Sequence, residues 1–274
     1  MPCKVGMISL GCPKNQVDAE QMLARLHEAG YTLTNEESSA DVVIINTCGF
    51  IDDAKKEAIE NILEMAALKQ EGTIRGLVVT GCLVERFREE VRRELPEIDA
   101  VLGLGRNGDI VAAVEAAYAG RALEEFGEKI ALPLEGERIL TTPGYTAYLR
   151  IADGCDNACT YCTIPQIRGR YRSRRPEDIV AEAERLASRG VKEIVLVAQD
   201  TTAYGCDRGD GDLPQLLDRL CEVEGIRWIR LLYTYPERIT DALLDTIARQ
   251  EKVLRYLDIP LQHCDGDILR RMNR

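Results

Sequence analysis

Between residues 5 and 118 the chain repeats one pattern four times, a short apolar run followed by a stretch with helical spacing. The apolar runs fall at 5–10, 41–46, 76–80 and 100–104, and helices are expected at 18–29, 52–69, 84–95 and 109–118. Strands that are apolar on both faces and joined by helical crossovers predict a parallel sheet covered on both sides. Residues 1–120 are therefore expected to form one doubly wound α/β domain.

Residues 121–146 break the rhythm. Gly127, Pro133, Gly136, Pro143 and Gly144 punctuate a mixed-charge segment that suits a linker with room for a hairpin. From 147 to 274 the alternation restarts, with strands expected at 148–152, 193–198, 228–233 and 256–261. Helices are expected at 176–189, 213–223 and 240–250, and another begins at 267. Four such units are too few to close a barrel, so an incomplete (β/α) partial barrel is expected. The sequence stops in Arg270-Arg271-Met272-Asn273-Arg274 just after a helix begins, and the natural protein is expected to continue.

Charge and cysteine content narrow the chemistry. Among 274 residues, Asp and Glu outnumber Lys and Arg 46 to 35, a formal charge of −11. Broad nucleic-acid binding normally shows as a basic excess, so it is disfavoured. No apolar run approaches the ~20 residues of a membrane helix, and the N-terminus lacks a secretory cleavage pattern. A cytoplasmic protein without a membrane partner is expected. Ten cysteines in a large α/β chain of this kind suggest metal or redox chemistry rather than disulfides.

Three of them, Cys155, Cys159 and Cys162, follow a predicted strand at x3 and x2 spacing. Thiolates this close can ligate three irons of a [4Fe–4S] cube and leave the fourth open to an external ligand. The competing reading is a zinc knuckle, although no fourth Cys or His stands nearby at zinc-ligand spacing. A second group depends on the fold. Cys12, Cys48 and Cys82 follow the first, second and third predicted strands, 36 and 34 residues apart. A parallel sheet places all three at its carboxyl edge, where such folds keep their sites. Three ordinary buried cysteines remain the alternative. Cys3, Cys206, Cys221 and Cys264 read as structural.

Other signals are weaker. Gly103-x-Gly105-x-x-Gly108 matches a dinucleotide fingerprint but follows the fourth strand, and a plain helix-starting turn is the better reading. Arg168, Arg170, Arg172, Arg174 and Arg175 could grip an anion or lie in a solvated loop. His27 and His263 are too few for a His-centred site. Gln199 and Asp200 end a predicted barrel strand, where side chains point into the site of such barrels or else serve the fold.

With both cysteine triads in view, the chain resembles the methylthiotransferases, a family of radical S-adenosylmethionine (SAM) enzymes. The matching stretches are 11–18 (GCPKNQVD), 46–50 (NTCGF), 80–83 (TGCL) and 153–170, with the aromatic Tyr161 before the last cysteine. The resemblance implies that Cys155, Cys159 and Cys162 hold a cluster whose open iron chelates SAM, and that Tyr161, Gln199 and Asp200 lie in the cofactor-binding region. It implies a second [4Fe–4S] cluster on Cys12, Cys48 and Cys82, a complete partial barrel of six units, and a TRAM domain beyond residue 274. One SAM would donate a methyl group to cluster-bound sulfur, and a second would yield the radical that activates an inert carbon. Stretches 152–155, 198–202 and 257–263 are similar to family members that modify an aspartate of small-subunit ribosomal protein S-twelve. They imply that protein, or the small ribosomal subunit, as partner, together with an electron donor and a sulfur source. The acidic balance suits a basic ribosomal partner. The rival readings are a tRNA adenosine methylthiotransferase and a non-enzymatic iron–sulfur electron carrier.

Overall fold

Alternating side chains on two central strands set the layers of the N-terminal half. The computed structural model describes residues 3–209 and 211–274 and divides into two compact units. The first comprises residues 1–139 with 166–168, and the second 140–165 with 169–274.

In the first unit, strands β1 (Lys4–Ser9), β2 (Thr32–Thr34), β3 (Val42–Thr47), β4 (Gly76–Gly81), β5 (Ala100–Leu102) and β6 (Leu123–Glu125) form one sheet. Its order is β2-β1-β3-β4-β5-β6, and every pairing is parallel. Val43, Ile45, Leu77 and Val79 pack one face against α2 (Asp52–Gln70), α3 (Cys82–Arg86) and α4 (Arg88–Glu94). Val42, Ile44 and Val78 pack the other face against α1 (Pro13–Glu28) and α5 (Ile110–Tyr118). Period-two burial on both faces is what a doubly wound sheet requires. The direction of winding reverses between β1 and β3, which opens a crevice at their carboxyl ends.

Several local expectations are corrected. Helix α1 starts at Pro13 rather than residue 18, with proline in the position where its missing N–H costs nothing. The helix expected over 84–95 is two short helices broken at Phe87, whose φ of −124° and ψ of 47° are not helical. Edge strands β2 and β6 were not expected, because TLT and LEE carry no apolar run. Residues 121–139 form no hairpin; β6 instead pairs parallel to β5.

In the second unit, β7 (Thr146–Arg150), β10 (Glu193–Val197) and β11 (Trp228–Leu231) form a parallel sheet of order β11-β10-β7. Ala147, Leu149, Ile194, Leu196, Ile229 and Leu231 pack against α7 (Pro176–Ser188), α8 (Leu213–Cys221) and α9 (Asp241–Arg249). A two-residue antiparallel pair, β8 (Ala152–Asp153) with β9 (Arg172–Ser173), brackets the cysteine loop and α6 (Ile164–Arg168). The strand expected at 256–261 does not form. That stretch contains Pro260, which has no ladder donor, and Gln262 turns it with φ of +66°. One isolated bridge, Ile229 with Val253, and a Thr234 N–H to Asp258 O bond of 2.9 Å run beside β11 instead. Helix α10 (Gly266–Met272) completes the unit. Among the described residues no helix is long and apolar enough to cross a membrane.

Candidate functional site: two groups of three thiols

At the carboxyl edge of the first unit's sheet, the three cysteine-bearing strands β1, β3 and β4 are neighbours, because the inserted β2 lies on the far side of β1. Ser9 pairs with Asn46 and Thr47 with Gly81, so Cys48 and Cys82 leave adjacent strands in step. Cys12 precedes α1 and Cys82 opens α3. The loops interlock through glycine. A Cβ on Gly11 would lie 2.7 Å from Cys48 Cβ and 3.2 Å from its sulfur, and Gly11 has φ of +94°. One on Gly49 would lie 2.7 Å from Leu83 Cα and 2.8 Å from Cys82 O. Gly81, with φ of +101°, lies so close to Thr47 that a Cβ would stand 2.6 Å from its backbone nitrogen. Only glycine permits that backbone approach.

The surroundings are polar and buried. Asn15, fully buried, donates through Nδ2 to Leu10 O at 3.1 Å and Thr47 O at 2.8 Å. Its Oδ1 accepts from Arg168 at 2.7 Å and from the Cys82 thiol at 3.5 Å. Arg168 also donates to Asp18 at 2.8 Å, an ion pair with side chains 1% and 0% exposed. Burial pushes the Cys82 thiol up to about 12, with Arg168 opposing and Cys12 and Cys48 adding to the rise. Burial likewise raises Cys48, against the Phe50 amide that donates to it. Burial thus favours the neutral thiol at Cys48 and Cys82, and metal binding there would release protons.

In the second unit the loop after β8 carries the other three. Gly154 has φ of +77°, and a Cβ there would run into the Arg170 carbonyl. The Cys155 amide donates to Gly169 O at 3.1 Å, and Cys162 donates to Cys159 O at 3.1 Å. Burial raises the Cys155 thiol to about 11, opposed by the Asn157 amide at its sulfur and assisted by Asp200, Cys162 and Cys159. Burial raises Cys162 too, opposed by the Ile164 amide. Tyr161 is 45% exposed and interacts with Cys159. The Tyr235 hydroxyl stands 3.7 Å from the Cys159 sulfur.

Asp200 is 1% exposed, and both its carboxylate oxygens are engaged. Oδ1 accepts from Thr202 at 2.6 Å and the Ala203 amide at 3.2 Å, and Oδ2 accepts from Asn157 at 3.1 Å and Arg238 at 2.7 Å. Gln199 donates through Nε2 to Asp153 at 2.8 Å while its buried Oε1 accepts from no group among the described residues. Arg168 and Arg174 of the arginine run are buried in ion pairs, the latter with Glu182 at 2.7 Å, whereas Arg170 and Arg175 are exposed. Gly105 packs against the Glu128 backbone at the start of the turn before α5, as a helix-starting role requires.

Sequence reasoning singled out Arg168 as a residue that could grip an anion but not its partners Asn15 and Asp18, and it missed Asn157, Arg238 and Tyr235 as parts of these surroundings. All ten cysteines are free thiols. No three His, Cys, Asp or Glu side chains among the described residues converge on one metal ion. A cluster takes one thiolate per iron, so its ligands stand farther apart than those of a single ion. The donor set, three thiols at each place with glycine backbone packed around them, suits that arrangement.

Comparison with known proteins shows what these features are similar to. Residues 4–103 match the model of the uncharacterized protein family UPF0004, and residues 149–274 match that of the radical SAM superfamily. The chain is 53% identical over 272 residues to "Ribosomal protein uS12 methylthiotransferase RimO" of Thermoanaerobacter sp. (strain X514), covering 98% of this chain and 62% of that protein. The protein of the same name from Caldanaerobacter subterraneus subsp. tengcongensis is 53% identical, with the same coverage. That of Symbiobacterium thermophilum is 51% identical, covering 100% of this chain and 57% of the relative. The chain thus spans about three-fifths of the length of these curated relatives. Among solved structures, the radical S-adenosylmethionine methyltransferase TsrM from Kitasatospora setae, with tryptophan substrate and a SAM analog bound, superposes with a TM-score of 0.65. At 14% identity over 97% of this chain and 60% of that one, the likeness concerns the fold.

Proposed function

We propose that the chain is a methylthiotransferase of the radical SAM type and adds a methylthio group to the β-carbon of an aspartate in small-subunit ribosomal protein uS12, as its similarity to the RimO proteins supports. The observation that carries this reading is the pair of three-thiol groups, one at a sheet edge and one in a loop. Cys12, Cys48 and Cys82 would hold one [4Fe–4S] cluster, and Cys155, Cys159 and Cys162 the other. When bound, the clusters and SAM supply methyl transfer to sulfur and homolytic hydrogen abstraction, which an unactivated β-carbon needs because it is a poor acid and a poor electrophile.

The chain's own residues position these groups and exclude water. Asn15 and Arg168 set the buried polar wall beside Cys82, and Tyr161 and Tyr235 flank Cys159. Gln199 presents an unsatisfied amide oxygen beside the strand end, a fit for a donor group of SAM or substrate. The reading requires an electron donor and a sulfur source from outside the chain and a cytoplasmic setting. The formal charge of −11 favours encounter with a basic ribosomal protein.

The test is iron and acid-labile sulfide per chain after anaerobic reconstitution, followed by mass spectrometry of uS12 peptides. About eight irons are expected, falling to about four on substituting either cysteine triad by alanine. A methylthio increment is expected on the aspartate-bearing peptide. About four irons held by Cys155, Cys159 and Cys162 alone would refute the two-cluster reading, and a methylthio group found on tRNA instead would refute the substrate.

A further inference from the structure

Three side chains of the second unit close a ring of hydrogen bonds around the cysteine loop. Asn157, midway between Cys155 and Cys159, donates to Asp200 Oδ2 at 3.1 Å. Arg238 donates to the same oxygen at 2.7 Å and through its other terminal nitrogen to Asn157 Oδ1 at 3.1 Å. The ring fixes the amide's orientation. Flipped, Asn157 would aim its oxygen at a carboxylate and its NH2 at a guanidinium, two repulsive contacts. Asp200 is itself held by Thr202, by the Ala203 amide, and by Tyr171, whose hydroxyl donates to the Asp200 backbone carbonyl at 2.9 Å.

We propose that Asp200 is a positioning residue that, with Arg238 as counter-charge, holds Asn157 and so preforms the Cys155–Cys159 stretch before any cluster binds. This rests on the reading that Cys155, Cys159 and Cys162 hold a cluster. A loop of this kind has no ladder of its own and loses conformational freedom when it wraps a ligand. Side-chain bonds already formed in the metal-free protein remove part of that loss. Asp200 is suited to the task because it is nearly fully buried just past the end of β10 (Glu193–Val197), where it caps the 3-10 turn Thr201–Ala203, while Asn157 lies on the loop. A carboxylate there needs a cation to offset its burial, and Arg238 supplies one. The Asn157 backbone amide also faces the Cys155 sulfur, so fixing that residue fixes a donor to the ligand atom.

The experiment uses the full chain carrying Cys12→Ala, Cys48→Ala and Cys82→Ala, so that iron reports only the loop. Asp200→Ala, Asn157→Ala and the exchange variant Asp200→Asn with Asn157→Asp are made in that background. Two quantities are measured: iodoacetamide labelling rates of each cysteine in metal-free protein, resolved by peptide mass, and retention of reconstituted iron against a chelator. In Asp200→Ala and Asn157→Ala, Cys155 and Cys159 are expected to label about tenfold faster and iron to leave about tenfold faster, the scale of one lost charge-assisted bond. Cys3 and Cys221 keep their rates, and the exchange variant, which retains a carboxylate between the amide and Arg238, regains most of the protection.

Unchanged labelling and iron retention in the alanine variants would overturn the proposal, and so would a uniform rise across all cysteines, which reports general loosening. If Asp200→Ala weakened only SAM binding, with labelling and iron unchanged, Asp200 would be a direct contact and not a positioning residue. A parent protein that takes up no iron would overturn the cluster reading itself, whereas a loaded parent with indifferent variants overturns this inference alone.

Discussion

The buried Arg168–Asp18 pair beside the sheet-edge thiols gives the sharpest energetic test. At 2.8 Å and an effective dielectric of about 20, the attraction is about 6 kcal/mol. Desolvating the two ions costs several kcal/mol each, so the pair as a whole is close to neutral for stability. Removing one partner is different, because it strands a charge with almost no access to water. Arg168→Met leaves the Asp18 carboxylate uncompensated at an expected cost of about 3–5 kcal/mol, and Asp18→Leu strands Arg168 at a similar cost. The double replacement Arg168→Met with Asp18→Leu removes both charges, and loss of the bond to Asn15 Oδ1 costs about 1 kcal/mol. A double-mutant cycle should therefore return a coupling of about 5–9 kcal/mol. Cys82, 5% exposed and 3.5 Å from Asn15, is a built-in probe. Its alkylation across a urea series, read by peptide mass, reports opening of this unit. With m near 2 kcal/mol/M, a loss of about 4 kcal/mol lowers the labelling midpoint by about 2 M for each single variant. The double variant should lie within about 1 M of wild type. Single shifts that add in the double would refute the reasoning, since they would mean that the two charges are compensated independently.

Three further outcomes are expected. Burial holds the Tyr171 hydroxyl protonated well above its ordinary value of 10.0, so the unfolded chain ionises first. Stability is then unaffected below pH 10 and falls above it by about 1.4 kcal/mol per pH unit until the folded value is reached. Thermal melts from pH 9 to 11 should show that fall, and Tyr171→Phe should remove this share of it. Gly49→Ala forces a methyl against Leu83 and the Cys82 carbonyl, so reconstituted protein should lose the iron held by Cys12, Cys48 and Cys82 while the loop set keeps its own. Gly154→Ala, at φ of +77° against the Arg170 carbonyl, should do the reverse, with retained iron assigned by combining each variant with alanine at the other triad.

How far the site could be read from the sequence depended on how local its parts are. Cys155, Cys159 and Cys162 lie within eight residues, so spacing alone groups them. Cys12, Cys48 and Cys82 became a group only through the inference of a parallel sheet, and the order β1-β3-β4 is what brings their loops side by side. The arginine run pointed to Arg168 but not to what it grips, because its partners Asn15 and Asp18 lie 153 and 150 residues away. Those partners also concealed the start of α1. Lys14, Asn15, Asp18, Glu20 and Gln21 are buried polar residues, and a reading based on apolar periodicity places such residues outside, where this helix turns them inward. Departures of this kind are expected where a protein serves a site rather than its core. The missing strand at 256–261 is a different failure. Leu257, Ile259 and Leu261 alternate as a strand would, but Pro260 removes a ladder donor and the Asp258 side chain is spent on the Tyr233 amide at 2.9 Å.

The two thiol groups are preorganised by different physics. At the sheet edge, Thr47 and Gly81 are locked in register, and each neighbouring glycine lets one loop rest on the next, so backbone packing, braced by the buried Asn15 amide on Thr47 O, fixes where Cys48 and Cys82 emerge. A side-chain change there moves the thiols only if it enlarges a glycine or strands a buried charge. The loop group has no such ladder. Its position comes from discrete bonds: Asp156 accepting the Tyr171 amide at 3.0 Å, Asn157 tied to Asp200, and Thr160 donating to Met272 O at 3.0 Å. Each of those bonds contributes on the order of 1 kcal/mol and can be lost singly. The loop is therefore the more adjustable of the two sites, while the sheet-edge group is bound to the stability of its whole unit. A site whose external ligand must enter and leave is well served by the first kind of support, and a site that must keep a fixed wall of buried polar groups by the second.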